Sequence, residues 1–176
     1  SLVIPLFNEE ESLAELHAWI DRVCTANALR YEVIFINDGS TDGSWKVIEG
    51  LSAQHPEVRG IRFRRNHGKS AALYVGFQAA QGDVVITMDA DLQDPPEVIP
   101  EMIAKWRAGC DMVYGVRRDR ATDSLPKRLS ADLYYKAHNL LSSDKIPDHA
   151  GDFRLLDRRV VEVLRSLPER NRFMKG

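Results

Sequence analysis

Two aspartates two residues apart, Asp89 and Asp91, follow the apolar run Val84-Val85-Ile86-Thr87-Met88. Carboxylates at that spacing, just past a buried strand, can converge on one hard cation. Oxygen donors of this kind suit Mg2+ or Mn2+ and, through the ion, a substrate diphosphate. Gln93, two residues further on, offers a neutral oxygen to the same ion. The plain alternative for such aspartates is turn formation and capping. Asp94 suits that alternative, standing where it would cap a helix starting at Pro95.

Other nucleotide and metal motifs fail residue by residue. No Gly-x-Gly-x-x-Gly follows the first apolar run, which argues against a dinucleotide-binding domain. Gly68-Lys69-Ser70 resembles the end of a phosphate-binding P-loop, but the glycine required at position 63 is Phe63. Asp89-Ala90-Asp91-Leu92-Gln93 begins like a calcium EF-hand loop. Asp94 stands where that loop needs glycine, and Pro100 where it needs glutamate. His67, His138 and His149 have no metal spacing and read as hydrogen-bonding or surface groups. Of the three, His67 falls in a loop that follows a strand.

These groups need elements to hold them. Apolar, β-rich runs at residues 2–7, 31–37, 58–63, 83–88 and 111–116 alternate with helical patterns at 9–27, 44–54, 69–81 and 95–107. Runs apolar throughout imply strands covered on both faces. Helices between them imply an α/β domain with a mainly parallel central sheet flanked by helices. Polar residues follow each strand: Asn8 and Glu9; Asn37, Asp38 and Gly39; Asn66, His67 and Gly68; Asp89 and Asp91; Arg117 and Arg118. In a parallel sheet these loops share the carboxyl edge, where ligands bind at the point of strand-order reversal. After Arg117 the alternation stops. Residues 124–141 read as an amphipathic helix, 153–156 as a short strand and 160–167 as a helix ended before Pro168.

Composition sets the outer limits. The 176 residues are 44% hydrophobic, with 24 basic and 26 acidic side chains and a net charge of -2. That is one ordinary globular domain. The balance gives no pull toward nucleic acid or anionic lipid, so any anion site is local. Cys24 and Cys110 read as reduced, mostly buried thiols, in keeping with a cytoplasmic setting. No apolar run reaches the roughly 18 residues of a membrane span, and no signal peptide is present. Ser1 opens directly into an apolar run and Gly176 follows a motif-like stretch, so the sequence reads as truncated at both ends. Membrane helices are expected to follow in the full-length protein.

Taken together, Asn37-Asp38-Gly39-Ser40-Thr41-Asp42, Asn66-His67-Gly68-Lys69 and Asp89-Ala90-Asp91-Leu92-Gln93-Asp94-Pro95-Pro96-Glu97 resemble glycosyltransferase family 2 and its single, Rossmann-like GT-A domain. Gly151-Asp152-Phe153-Arg154-Leu155 and Arg170-Asn171-Arg172-Phe173 are similar to the polyprenyl-phosphate, dolichol-phosphate mannose synthase-like branch. The resemblance runs from Leu2 to Gly176. It implies that Pro5, Phe7 and Glu9 line the base and ribose pocket, that Asp38 binds the nucleoside and that Lys69 lies near the nucleotide. Asp89, Ala90 and Asp91 would meet the nucleotide sugar, with Asp89, Asp91 and Gln93 holding the metal and diphosphate. Arg117 and Arg128 would bind the acceptor phosphate. Arg170 and Arg172 would close over the diphosphate. Members often carry tyrosine at Phe7; phenylalanine keeps the stacking and loses one hydrogen bond.

The implied reaction is inverting transfer of a hexose from a nucleoside-diphosphate sugar to undecaprenyl or dolichyl phosphate at the cytoplasmic face of the membrane. A UDP-sugar is favoured over GDP-mannose, and a homo-oligomer is open. A phosphate monoester has a second pKa of about 6, so the nucleophile is largely deprotonated near neutral pH and no strong general base is required. Asp152 matches a family position near the acceptor and is a candidate base. It could equally orient Arg154 or a backbone group. The helix at 124–141 either packs its leucines on the core or lays Tyr134 and Tyr135 near the bilayer, with Lys127 and Lys136 toward headgroups. Three other readings stay open: a family 2 enzyme acting on a saccharide or protein hydroxyl, a nucleotidyltransferase, and a sugar-nucleotide-binding module without activity.

Overall fold

The computed structural model describes residues 1–116 and 150–166. Six strands form one sheet in the order β3-β2-β1-β4-β6-β5. The strands are β1 (Leu2–Leu6), β2 (Val33–Asn37), β3 (Val58–Arg62), β4 (Val84–Thr87), β5 (Met112–Val116) and β6 (Ala150–Asp157). The helices are α1 (Leu13–Ala26), α2 (Ser44–Gln54), α3 (Lys69–Ala79), α4 (Ile99–Arg107) and α5 (Arg158–Ser166). β1 pairs in parallel with β2 and β4, and β2 with β3. The expected α/β architecture with a mainly parallel sheet is therefore present.

All five residues of β1 and of β2 are buried, which is why both are apolar without alternation. Their side chains sort into two cores. Leu2, Ile4, Val33 and Phe35 pack with Leu13, Leu16 and Ile20 of α1, Ile48 of α2 and Met102 of α4. Val3, Ile34 and Ile36 pack with Ala72, Leu73 and Phe77 of α3 and Val161 of α5. Gly76 lets α3 lie against β1, because a Cβ there would run into the Val3 side chain.

Several expected boundaries move for local reasons. The first helix begins at Leu13 rather than Glu9, because Asn8 is left-handed (φ 58°) and the chain turns through residues 9–12. The helix expected at 95–107 splits into a 3-10 turn (Pro96–Val98) and α4. Pro100, with no N–H, sits in the first turn of α4, where none is needed. Asp94 stands one residue before the cap position. Pro95 holds the cap position, and the buried Asp94 carboxylate accepts the Asp89 N–H at 3.1 Å.

The largest departure is β6. It is an eight-residue strand rather than a short one, and it runs antiparallel between β4 and β5. β5 consequently points the same way as β1 to β4, so all five strand-end loops expected at one edge do start there. Of the two cysteines, Cys24 is buried and pushed up to about 11 by that burial, whereas Cys110 is exposed. No helix among the described residues is long and apolar enough to cross a membrane. The segment expected to be helical at 124–141 lies outside the described residues.

Candidate active site

Strand order reverses between β1 and β4, and a cleft of about 340 Å³ opens at their carboxyl ends. Pro5, Leu6, Phe7 and Glu9 line it from the first loop, and Asp38 from the second. Asn66, Gly68 and Lys69 line it from the third, and Asp89, Ala90 and Asp91 from the fourth. Five residues expected at the donor site, Pro5, Phe7, Glu9, Asp38 and Lys69, thus share one surface with Asp89, Ala90 and Asp91, and Phe7 is 45% exposed on its wall.

The loops are tied to one another before any ligand arrives. The Asn8 N–H donates to Ser40 Oγ (2.9 Å), and the Thr41 N–H returns to Asn8 Oδ1 (2.8 Å). The Glu9 N–H donates to Ser44 Oγ (2.9 Å). Asn37 Oδ1 accepts the Ser40 N–H (2.8 Å), closing the turn after β2. Gly39, at φ 75°, passes so close to the Arg65–Asn66 backbone that a Cβ would collide with it. Asp38 is buried, and its two oxygens accept the N–H groups of His67 (2.7 Å) and Gly68 (2.8 Å). Its carboxylate therefore anchors the third loop as well as facing the cleft. His67 itself is exposed, with its ring edge-on to Phe63 at 5.6 Å.

Gly68, at φ 88°, then starts α3, so that Lys69 occupies the first helical turn at the cleft. Lys69 Nζ bridges two carboxylates: it bonds Asp89 Oδ1 and, at 2.6 Å, Asp152 Oδ2. The antiparallel register explains the meeting. Thr87 of β4 lies opposite Arg154 of β6, so two residues further toward the edge Asp89 comes opposite Asp152. The Thr87 hydroxyl donates to the Asp152 carbonyl, fixing that end of β6. Arg154 Nη2 contacts Asp152 Oδ1 at 3.3 Å and its guanidinium lies 5.9 Å from the Tyr114 ring centre.

Charge in this group is mutually dependent. Burial opposes the Lys69 ammonium, but hydrogen bonds and charge from Asp152 and Asp89 outweigh it and hold the group above its ordinary value. Burial, aided by the Asp94 and Asp152 charges, pushes Asp89 above the usual carboxylate range despite Lys69. Asp91 is exposed and accepts the Gln93 N–H at 3.2 Å, with Leu92 left-handed between them (φ 62°). The Gln93 side chain is exposed, and Gln93 is not among the described lining residues of the cleft.

The donor set fits a hard divalent cation: Asp89 and Asp91 bring carboxylate oxygens to one cleft, and among the described residues no sulfur or imidazole lines it. Arg117, Arg128, Arg170 and Arg172, like His138 and His149, lie outside the described residues. Sequence reading placed Lys69 near a nucleotide but missed its bridge between Asp89 and Asp152, and it missed Thr87 altogether. Nothing in linear spacing signals either, because both depend on the antiparallel placement of β6.

Relatives are close in sequence. The bactoprenol glucosyl transferase of Shigella phage SfV is 48% identical over all 176 residues, which match 57% of that protein. The prophage bactoprenol glucosyl transferase homolog of Escherichia coli K12 is 47% identical over the whole chain, matching 58% of its length. The chain thus spans somewhat more than half of these relatives. Among solved structures, the mannosyltransferase PcManGT from Pyrobaculum calidifontis, in complex with GDP-Man and Mn2+, superposes with a TM-score of 0.65 at 23% identity. That match covers 93% of this chain and 45% of that one. Glucosyl-3-phosphoglycerate synthase from Mycobacterium tuberculosis, with Mn2+, UDP-Glc and phosphoglyceric acid, gives 0.63 at 20% identity over 90% of this chain and 56% of that one. Both share the GT-A fold described above. The family model described as glycosyl transferase family 2 matches residues 1–165, and the chain belongs to that family.

Proposed function

We propose that this chain is the catalytic domain of an inverting hexosyltransferase that moves a sugar, glucose by preference, from a UDP-sugar to a polyprenyl phosphate. The observation that carries the reading is the convergence of Asp89, Asp91, Lys69 and Asp152 at the strand-order reversal. The 47–48% identity to proteins named bactoprenol glucosyl transferases supports the choice of acceptor and sugar. The donor's base and ribose lie along Pro5, Phe7, Glu9 and Asp38. Its diphosphate reaches Asp89 and Asp91, which hold Mg2+ or Mn2+. A cation held there by Asp89 and Asp91 would supply positive charge against that developing on the departing UDP.

Transfer forms a bond from a phosphate oxygen of the acceptor to the anomeric carbon while the bond from that carbon to the diphosphate breaks. UDP leaves and the configuration inverts. The acceptor oxygen is already deprotonated near neutral pH, so Asp152 serves to hold Lys69 and Arg154 rather than to take a proton. Lys69, with the start of α3 behind it, supplies positive charge to the cleft. Arg117 and Arg128 bind the acceptor phosphate, and Arg172 closes on the diphosphate. A lipid acceptor together with a nucleotide-sugar donor suits the cytoplasmic face of the membrane.

The test is nucleoside-diphosphate release from a panel of sugar nucleotides, with Mg2+ or Mn2+, in the presence and absence of polyprenyl phosphate. Release that requires metal and lipid phosphate together, is fastest with UDP-glucose and is lost in Asp91→Ala supports the whole reading. Release indifferent to the lipid moves the acceptor to another nucleophile. A pH–rate profile for Asp152→Asn that loses its acid limb would restore Asp152 as a base.

A further inference from the structure

At the opposite edge of the sheet, three groups meet that the donor cleft does not use. His17 projects from α1, His55 follows the last residue of α2, and Glu57 leads into β3. His55 and Glu57 therefore stand before a strand, whereas the cleft is built from loops that come after strands. His17 is 3% exposed, and its Nε2 is buried with no hydrogen-bond partner. That nitrogen lies 3.5 Å from Glu57 Oε1, and His55 Nδ1 lies 3.4 Å from the same oxygen. One ligand atom from each residue falls within 4.8 Å of the other two. The two imidazoles are 4.2 Å apart, centre to centre.

A buried ring nitrogen without a partner is unfavourable unless something completes it. The spacing indicates what would. With zinc–nitrogen and zinc–oxygen bonds of about 2.0–2.2 Å, neighbouring ligand atoms of a tetrahedral site stand about 3.4 Å apart. The separations of 3.5 Å and 3.4 Å match that edge. We propose that His17 Nε2, His55 Nδ1 and Glu57 Oε1 bind a Zn2+-class cation that clips α1 to the junction of α2 and β3.

The surroundings suit the ion. Burial, and then the neighbouring His55, hold His17 below its ordinary value, so it is neutral near pH 7, as a ligand must be. The Tyr31 hydroxyl, 2.8 Å from Asp21 Oδ1 and 3.4 Å from Glu57 Oε1, gives the carboxylate an outer contact. His55 is 37% exposed, which leaves room for a water as the fourth ligand. Two imidazoles and one carboxylate favour zinc over the magnesium or manganese suited to Asp89 and Asp91. The two sites therefore sort ions by ligand chemistry. The clip is structural: it binds the folded form alone and so stabilises it.

The experiment titrates the chelator-treated full chain with Zn2+ in excess Mg2+, reading stoichiometry by calorimetry and thermal unfolding in parallel. The expected result is one Zn2+ per chain that Mg2+ does not displace, and a rise in Tm on binding. His55→Gln and Glu57→Gln should each weaken binding by on the order of 100-fold, with metal-free Tm near that of the parent because both positions are partly exposed. His17→Asn should do the same if it folds. Asp91→Ala should keep this zinc, separating the site from the donor cleft. Zinc that survives His55→Gln, yields to Mg2+, or fails to bind overturns the proposal.

Discussion

The two edges of the sheet treat polar groups in opposite ways. At the amino edge, the His17–His55–Glu57 group apart, they are spent on one another. Arg165 reaches the carbonyls of Phe77, Gln78 and Ala80, closing the end of α3. Arg158 donates to the carbonyls of Ala80 and Gly82, Glu32 takes the Ser1 hydroxyl and Arg59, and Asp157 takes the Trp106 indole N–H. At the carboxyl edge the loops are stitched just as firmly, yet Asp91, Phe7 and a third of Lys69 stay open to the cleft. One edge closes the fold, and the other is held ready for a charged ligand.

Substitutions at the two edges should therefore separate activity from stability. Asp91→Ala should lower transfer by on the order of 100- to 1000-fold and leave Tm unchanged, because the side chain is exposed. A matching drop in Tm would make Asp91 a structural residue. Lys69→Met should cost about 100-fold in kcat through misplacement of Asp89 and Asp152. Its loss of stability should be only about 1 kcal/mol, since the side chain is a third exposed. Normal turnover in this variant would remove Lys69 from the site.

Arg165→Ala should invert the pattern, with roughly 1.5–3 kcal/mol lost in denaturant unfolding and kcat unchanged. The smallest effect is expected of Trp106→Phe. The Trp106 hydrogen bond, with help from the Arg159 N–H and side chain, lowers Asp157 from 3.8 to about 2. A depressed carboxyl stabilises the fold above its unfolded value, and the contribution fades as pH falls through the folded one. The variant should thus be less stable near neutral pH, by a margin that closes between pH 3.8 and about 2. A margin constant with pH would mean that packing, not the carboxyl, is responsible.

Legibility followed burial. β1 and β2 are covered on both faces and read as unbroken apolar runs, so the parallel half of the sheet was visible in sequence. β6 was seen only at its apolar centre. Its neighbours and direction leave no trace in composition, and they decide that Asp152 meets Asp89. The aspartate pair was legible because its members are near in sequence, whereas Lys69, Asp89 and Asp152 meet only through long-range pairing. His17 went unnoticed for a different reason. It occupies an apolar face of α1, and its partners His55 and Glu57 lie in a distant loop with no recognisable spacing.

The pairing of Val116 with Ala150 has a consequence for how such a chain can diversify. β5 ends and β6 begins at neighbouring points, both at the edge that carries the cleft. Lengthening a segment whose ends are already fixed is entropically mild, about 0.6 kcal/mol for each doubling of its length. Selection, or a protein engineer, can therefore exchange the whole connection between β5 and β6 without rewriting a single core position. The sheet behaves as a socket, and the connection is the part that plugs in.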